Sequence, residues 1–438
     1  MSLVQSLIAA HRRGERVGLY SVCSSNDQVL RAAMDVAQRY GTVLLIEATS
    51  NQVDQFGGYT GMDPAAFRTW VEALARAEGF PAERLVLGGD HLGPNAWQAR
   101  PAGEAMAHAR DLVAAYAAAG FHKIHLDCSM SCAGDPDPLP DELVAARSAE
   151  LAAVAERAAA AAGLPPPVYV IGTEVPVPGG ETSLEGLAVT APDAAARTLE
   201  IHRQAFDAPG LAPAWERVVA MVVQPGVDFD HTQVHAYDPA AAAALSDFVA
   251  AQPRIVFEAH STDYQTEAAL HALVRDHYAI LKVGPAATFA YREALFALAA
   301  IEDALLPEGE PRSRLPEVLD RCMVEKPAHW QRHYAGDAHA LRLLRRYALS
   351  DRCRYYWGEP EVQAAVERLV ANLRRHPPPP SLLSQFLPEQ QREVQAGRLS
   401  ADPLVLVRHR IALRLAEYAR ACARNAAGRR GEDAAALS

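Results

Sequence analysis

Eight short runs of β-branched or aliphatic residues recur along the first 300 residues, separated by helical segments, and this rhythm constrains the fold more than any motif. The runs are "RVGLYSV" 16–22, "TVLLIEA" 42–48, "RLVLGG" 84–89, "KIHLDC" 123–128, "VYVIGT" 168–173, "VVAMVVQ" 218–224, "RIVFEA" 254–259 and "YAILKVG" 278–284. Amphipathic or alanine-rich stretches such as "DQVLRAAMDVAQRY" and "EAMAHARDLVAAYAAAG" lie between them, each ended by glycine or a polar turn. Buried strands alternating with helices predict an α/β protein, a (β/α)8 TIM barrel. Its ~250 residues fit within 1–300 once the longer loops count as insertions. A doubly wound sheet would carry a glycine-rich phosphate turn after its first strand. "GLYSVCSSND" is no such turn, and the chain has neither G-x-G-x-x-G nor G-x-x-x-x-G-K-[ST].

Beyond residue 300 the pattern becomes helical throughout. The expected organisation is a barrel over 1–300, a helical extension packed on it over 301–425, and a disordered tail over 426–438, where "AAGRRGEDAAALS" is of low complexity. The 438 residues, 50% hydrophobic, can bury a large core, and the net charge of −11 opposes a nucleic-acid or membrane-binding surface spread over the whole protein. No apolar run approaches the ~18 residues that span a bilayer, and the N-terminus is not ordered like a secretory signal. Six cysteines without a C-x-x-C pair read as reduced thiols. A cytoplasmic enzyme is expected, as a homo-oligomer.

Active sites of this barrel gather where strands run out at the C-terminal face. The strand ends here carry Ser21, Glu47 with Asn51 and Gln52, Asp90 with His91 and Asn95, Asp127 with Ser129, Glu174, Gln224, His260 with Ser261, Thr262 and Asp263, and Lys282. Two imidazoles and a carboxylate from separate strands are what a catalytic divalent site requires, so His91, His260 and Glu174 are candidate ligands. Asp90 would orient His91 or act as general base. A lone histidine is more often a satisfied core residue. His91 and His260 stand apart because each closes an apolar strand beside acids or hydroxyls.

The stretches "GLYSVCSSND", "LLIEATSNQVDQFGGYTGM", "GGDHLGPN", "KIHLDCSMSCAGDP", "VIGTEVPVPGGE", "VFEAHSTDYQT", "LKVGPAATFA", "VEKPAHW" and "RYALSDRCRYYW" resemble the GatZ/KbaZ family, named for the so-called non-catalytic subunit of class II tagatose-1,6-bisphosphate aldolase. The resemblance runs from about residue 5 to about 420. It implies an aldolase-like barrel and one of three roles: a partner that stabilises a catalytic class II aldolase subunit, a sugar-phosphate kinase, or an epimerase acting at C4 of a ketohexose phosphate. By the more distant resemblance to catalytic class II aldolases, Asp90, Asp127 and Glu142 are acid/base candidates and His91 and His260 metal ligands. Those aldolases place another histidine on the sixth strand, where this chain has Gln224, so Gln224 or Glu174 would have to substitute.

Without a phosphate-cradling motif, a kinase is not expected. A C2 carbonyl does not acidify the C4 proton, so C4 inversion would need nicotinamide oxidation or cleavage and re-formation of C3–C4, and no dinucleotide fingerprint is present. The expectation is therefore a metal-dependent isomerase, a 4-epimerase interconverting D-tagatose 6-phosphate and D-fructose 6-phosphate or the bisphosphates by retro-aldol chemistry. The ion would be zinc, with magnesium or manganese as alternatives. Its rivals are a stabilising aldolase subunit and a true retro-aldolase. Phosphate recognition is expected from Ser261, Thr262, Lys282 and the amide of Gly284, with Lys326, Arg352 or Arg354 added by the helical segment. Asn51 and Gln52 would bind sugar hydroxyls.

Overall fold

A computed structural model describes residues 1–175, 187–208 and 210–424. The expected disordered tail and most of "VPVPGGE" lie outside these residues. The eight runs all form strands: β1 (Leu19–Val22), β2 (Leu44–Thr49), β3 (Leu85–Leu92), β4 (Lys123–Leu126), β5 (Val168–Ile171), β6 (Val218–Val222), β7 (Val256–Ala259) and β8 (Tyr278–Val283). They close into a parallel barrel in the order β1-β8-β7-β6-β5-β4-β3-β2, each strand beside its neighbours in sequence. Almost every strand residue is buried because helices cover the outside and side chains fill the inside.

Leu19, Leu45, Val86, Val168, Val170, Val219, Val256 and Ile280 form one interior cluster, drawn largely from the first halves of the strands. Val4 and Ile8 of the opening helix Leu3–Arg12 join it, closing the N-terminal end of the barrel. Deeper along the strands the inward residues turn polar, and that is where the site lies.

The eighth barrel helix, Pro285–Leu305, runs past the expected boundary at 300, so barrel and extension share it. The final helix, Pro403–Cys422, returns to pack on the helices Asp27–Tyr40, Glu267–Arg275 and Pro285–Leu305. Leu406, Ile411 and Leu415 are buried there, each contributing about 1.5–3 kcal/mol. Tyr418 is also buried and donates through its hydroxyl to the carbonyl of Thr262, 2.7 Å away, which fixes the loop after β7. A 3-10 turn, Arg352–Tyr356, brings Arg354 and Tyr355 from the extension to the open end of the barrel.

Candidate functional site

The strand β3 does not stop at "RLVLGG" but continues through Asp90 and His91 to Leu92. Its pairing with β4 slips between Gly89 and Leu92, and His91 has φ 51°, the left-handed region that a branched or bulky residue rarely adopts. Asp90 and His91 thus occupy a bulge, a device that re-aims side chains next to active sites. Ser261, after β7, has φ 52° and lines the same cleft. Such outliers cluster where function holds them. Two glycines make room: a Cβ on Gly88 would meet the Glu47 carboxylate at 2.6 Å, and one on Gly93 the carbonyl oxygen of Asp127 at 1.7 Å.

A buried ionic cluster fills the barrel below this bulge. Lys123 Nζ lies 2.6 Å from Glu47 Oε1 and 2.7 Å from Glu258 Oε2, and all three side chains are fully buried. Lys282 pairs with Glu47, with Asp90 at 2.8 Å and with Glu258 at 3.6 Å. His125 Nδ1 is 3.0 Å from Asp90 Oδ1, His260 Nε2 is 3.0 Å from Glu258 Oε1, and His91 Nδ1 is 2.7 Å from Asp127 Oδ2. The three imidazoles pack edge to face with centroids about 5 Å apart.

These environments drive the groups apart. Burial alone would raise the Asp90 carboxyl, but His91, Lys282 and the bond from His125 hold it well below the usual range. Burial lowers His260 to about 3, only partly offset by Glu258, so its imidazole is neutral. His91 goes the other way: burial is outweighed by Asp90 and Asp127, which raise it. An ionised acid, a neutral imidazole and a proton-bearing imidazole side by side are the elements of acid/base chemistry.

Asp90, His125, Glu258 and His260 each offer one ligand atom, all within 4.8 Å of one another, and could hold a metal ion. The chain fits one. His125 Nε2 is buried without a hydrogen-bond partner among the described residues. Against the four carboxylates of Glu47, Asp90, Asp127 and Glu258 the described residues set the ammonium groups of Lys123 and Lys282 and the proton-bearing His91, so the cluster keeps a net negative charge that favours a cation.

Above the cluster opens a cleft that measures about 650 Å³ out to open solvent. Asn51, Gln52, Asp90, His91, His260, Ser261, Asp263, Lys282 and Gly284, all expected at the site, line it, together with Cys23, Tyr59, Phe229, Arg354 and Tyr355. Several expectations need correction. His91 borders the metal cluster but contributes no atom to it; His125 does. Glu174 is exposed and accepts from the Thr190 hydroxyl, and Gln224 accepts through its side-chain oxygen from the amides of Gly226 and Val227, so neither joins the ligand set. Glu142 is exposed in the first turn of the helix Asp141–Ala161 and does not line the cleft.

The expected phosphate binders are mostly engaged elsewhere. Lys282 is held by three acids, the Gly284 amide donates to Asp263 at 3.0 Å, and the Thr262 hydroxyl donates to the Lys282 carbonyl. Lys326 sits on the surface paired with Glu359. Ser21 donates to Glu47 at 2.6 Å, and Asn95 and Ser129 both donate to Asp127, so these residues and Glu47 support the site without lining it.

Sequence reasoning overlooked Lys123 and His125. The signal was present, since Lys123, His125 and Asp127 alternate along "KIHLDC" and a strand sends alternate residues to one face.

Asp263 gives the site a measurable pH dependence. Burial pushes its carboxyl up to about 6, against the amides of Ala286 and Gly284 and the charge of Arg354. A carboxyl raised in the folded state favours folding only while protonated, so its cost appears as pH rises from about 4 through 6. In Asp263→Asn the amide oxygen can keep both backbone bonds. The variant is expected to match the wild type in urea unfolding near pH 4 and to exceed its stability by up to about 3 kcal/mol at pH 8. A difference that does not change with pH would refute this account.

A family model described as "D-tagatose-1,6-bisphosphate aldolase subunit GatZ/KbaZ-like" matches residues 4–423. The chain belongs to the GatZ/KbaZ-like family. Among solved structures it is similar to that of a probable tagatose 6 phosphate kinase from Sinorhizobium meliloti 1021, with 49% identity over 92% of this chain and 100% of the other, at a TM-score of 0.84. The YdjI aldolase from Escherichia coli K12 is 12% identical over 86% of this chain and 97% of its own, at a TM-score of 0.42. The fructose-bisphosphate aldolase from Campylobacter jejuni is 15% identical over 86% of this chain and 93% of its own, also at 0.42. The Sinorhizobium relative overturns the expectation of an isomerase: a protein this similar is named as a probable tagatose 6 phosphate kinase, which points to phosphoryl transfer rather than 4-epimerisation by retro-aldol chemistry. It equally corrects the exclusion of a kinase on the absence of glycine-rich motifs. Among the described residues no helix of this family member is long and apolar enough to cross a membrane.

Proposed function

We propose that this chain transfers a phosphoryl group to tagatose 6-phosphate, or a closely related ketohexose 6-phosphate, at the C-terminal mouth of the barrel. The observation that carries the reading is the similarity to the probable tagatose 6 phosphate kinase from Sinorhizobium over nearly the whole chain, in which the ionised Asp90 faces a cleft lined by polar side chains. The family's description names tagatose 1,6-bisphosphate, which is the product if the C1 hydroxyl is the acceptor. A class II aldolase chain that consumes that bisphosphate is then the natural partner.

A second cavity supports a two-substrate reaction. It measures about 2000 Å³ out to open solvent, shares Tyr59, Arg354 and Tyr355 with the cleft, and is lined by Trp70, Tyr291 and Trp357. The Trp357 indole N–H is buried without a hydrogen-bond partner among the described residues. Aromatic walls with an unused donor suit the base of a nucleoside triphosphate. In the reaction an Asp90 oxygen accepts the C1 hydroxyl proton, the new O–P bond forms, the bond from the terminal phosphorus to the bridging oxygen breaks, and nucleoside diphosphate leaves. His91, bearing a proton, and Lys282 keep Asp90 ionised and positioned until it takes that proton. Asn51 and Gln52 hold sugar hydroxyls. A divalent ion held by His125, Glu258 and His260 beside Asp90 would supply Lewis-acid polarisation of a sugar oxygen, and two imidazoles in the set favour zinc over magnesium. Six unpaired thiols suit a cytoplasmic enzyme.

The test is to incubate the purified chain with tagatose 6-phosphate and MgATP, before and after metal stripping and zinc resupply, following 31P NMR. ADP and a second sugar phosphomonoester appearing together are expected, with loss on stripping and recovery with zinc. Turnover of the sugar phosphate without nucleotide, or no ADP under any metal, would overturn phosphoryl transfer.

A further inference from the structure

We infer that Arg354, carried by the helical extension, binds the phosphate of the sugar substrate, so that the barrel's site is completed from outside the barrel. The inference deepens the proposed function and rests on its sugar-phosphate substrate, but not on the phosphoryl transfer itself.

Arg354 lines the cleft with Ser261, Tyr59 and Tyr355. It is only partly exposed, yet no carboxylate among the described residues lies within ion-pair distance of it. Arg345, Arg374 and Arg410 of the extension are matched with Asp320, Asp402 and Glu293, and Arg352, which donates to the His329 carbonyl, does not line the cleft. The guanidinium of Arg354 is instead held by neutral groups. Nη1 donates to the carbonyls of Ser350 and Asp351, Nη2 donates to the Tyr355 hydroxyl at 2.9 Å, and the plane lies over the Tyr355 ring at 4.5 Å. Nearby acids are committed elsewhere: Asp351 accepts from Thr288 and faces Arg292, and Asp263 accepts from the amides of Gly284 and Ala286. A cation that is partly withdrawn from water, rigidly held and without a direct ion pair suits an anion, and a guanidinium's planar fork matches phosphate oxygens.

The surroundings reinforce this. Burial is the main cause that lowers His329 and His333, the latter to about 4, and Arg352 and Arg354 add to it in both, so several cations gather around this end of the extension. The barrel's own phosphate candidates are meanwhile occupied, Lys282 by acids and the Gly284 amide by Asp263. Since Arg354 also borders the second cavity, the phosphate it meets could belong to the sugar or to a nucleotide. We assign it to the sugar because Ser261, Asp90 and His91 share the cleft with it and do not line that second cavity.

Calorimetric titration of the full chain with tagatose 6-phosphate, tagatose and the non-hydrolysable analogue AMP-PNP tests the assignment. The wild type should prefer tagatose 6-phosphate to tagatose. Arg354→Gln should weaken tagatose 6-phosphate by roughly 30-fold or more, with tagatose and AMP-PNP changed by less than about threefold. Arg354→Lys, which keeps the charge but not the fork, should fall between. The ratio of the two sugar affinities on one variant is insensitive to loosening of the 3-10 turn. A ratio preserved in Arg354→Gln would overturn the phosphate role, and a loss confined to AMP-PNP would overturn its assignment to the sugar. A wild type without preference for the phosphorylated sugar would overturn the substrate reading and the subsite with it.

Discussion

Asp90→Asn is expected to lower kcat for the sugar-phosphate reaction by roughly 10²–10⁴-fold while leaving the protein folded. The separation of the two effects follows from the geometry. Asp90 Oδ1 takes the bonds from His125 at 3.0 Å and Lys282 at 2.8 Å, and an asparagine oxygen can accept both. Lys282 keeps Glu47 and Glu258 as partners, so no buried charge is stranded. What the amide cannot do is take a proton, because its basicity is far below that of a carboxylate. The circular dichroism spectrum should therefore be unchanged, and the melting temperature should move by a few degrees at most. Activity within about threefold of the wild type would remove Asp90 from the base role and shift attention to Asp127, whose carboxylate is also held ionised against burial by the hydrogen bond and charge of His91.

The barrel was legible because parallel strands covered on both faces read as continuous apolar runs, and all eight strands lie within or overlap the runs marked in the sequence. Periodicity fails where the backbone departs from regularity. The third run ends at Gly89 in the sequence, yet Gly88 serves close approach to Glu47 and Gly93 to the Asp127 backbone, and the strand runs through a bulge to Leu92. His91 closes its strand beside acids, which marks it as a candidate ligand in the sequence, but its left-handed backbone sets it beside Asp127, and His125 rather than His91 offers an atom to the group that could hold a metal ion. Glu174 and Gln224 lie beyond the ends of their strands, at Ile171 and Val222, where one is exposed and the other is consumed by a turn, outcomes that spacing along the chain does not encode. Arg354 shows the same limit from the other side: among several arginines in the extension, only the structure shows which one reaches the cleft without an acid. The misread activity came from treating glycine-rich loops as the necessary mark of nucleotide use. Their absence excludes only the folds built around them.

Lys123→Met is expected to cost about 3–5 kcal/mol of stability, the largest effect of any single change in the barrel interior. Lys123 is fully buried between Glu47 and Glu258, and although burial alone would strip its proton, the two carboxylates raise it above its ordinary value. Methionine has nearly the same reach and fills the space, so the loss is electrostatic rather than a cavity. The variant leaves Glu47 and Glu258 sharing Lys282, which must also serve Asp90. The cost should appear as a lower urea midpoint with an unchanged slope, since the surface exposed on unfolding is the same. Removing one of the stranded charges should recover part of it, so Lys123→Met with Glu47→Gln is expected to be more stable than Lys123→Met alone, a coupling that additive effects cannot produce. A single variant within 1 kcal/mol of the wild type would mean that the carboxylates are balanced by something other than this lysine. Added zinc would then be expected to raise the wild-type midpoint strongly, since the net negative charge of the cluster favours a bound cation.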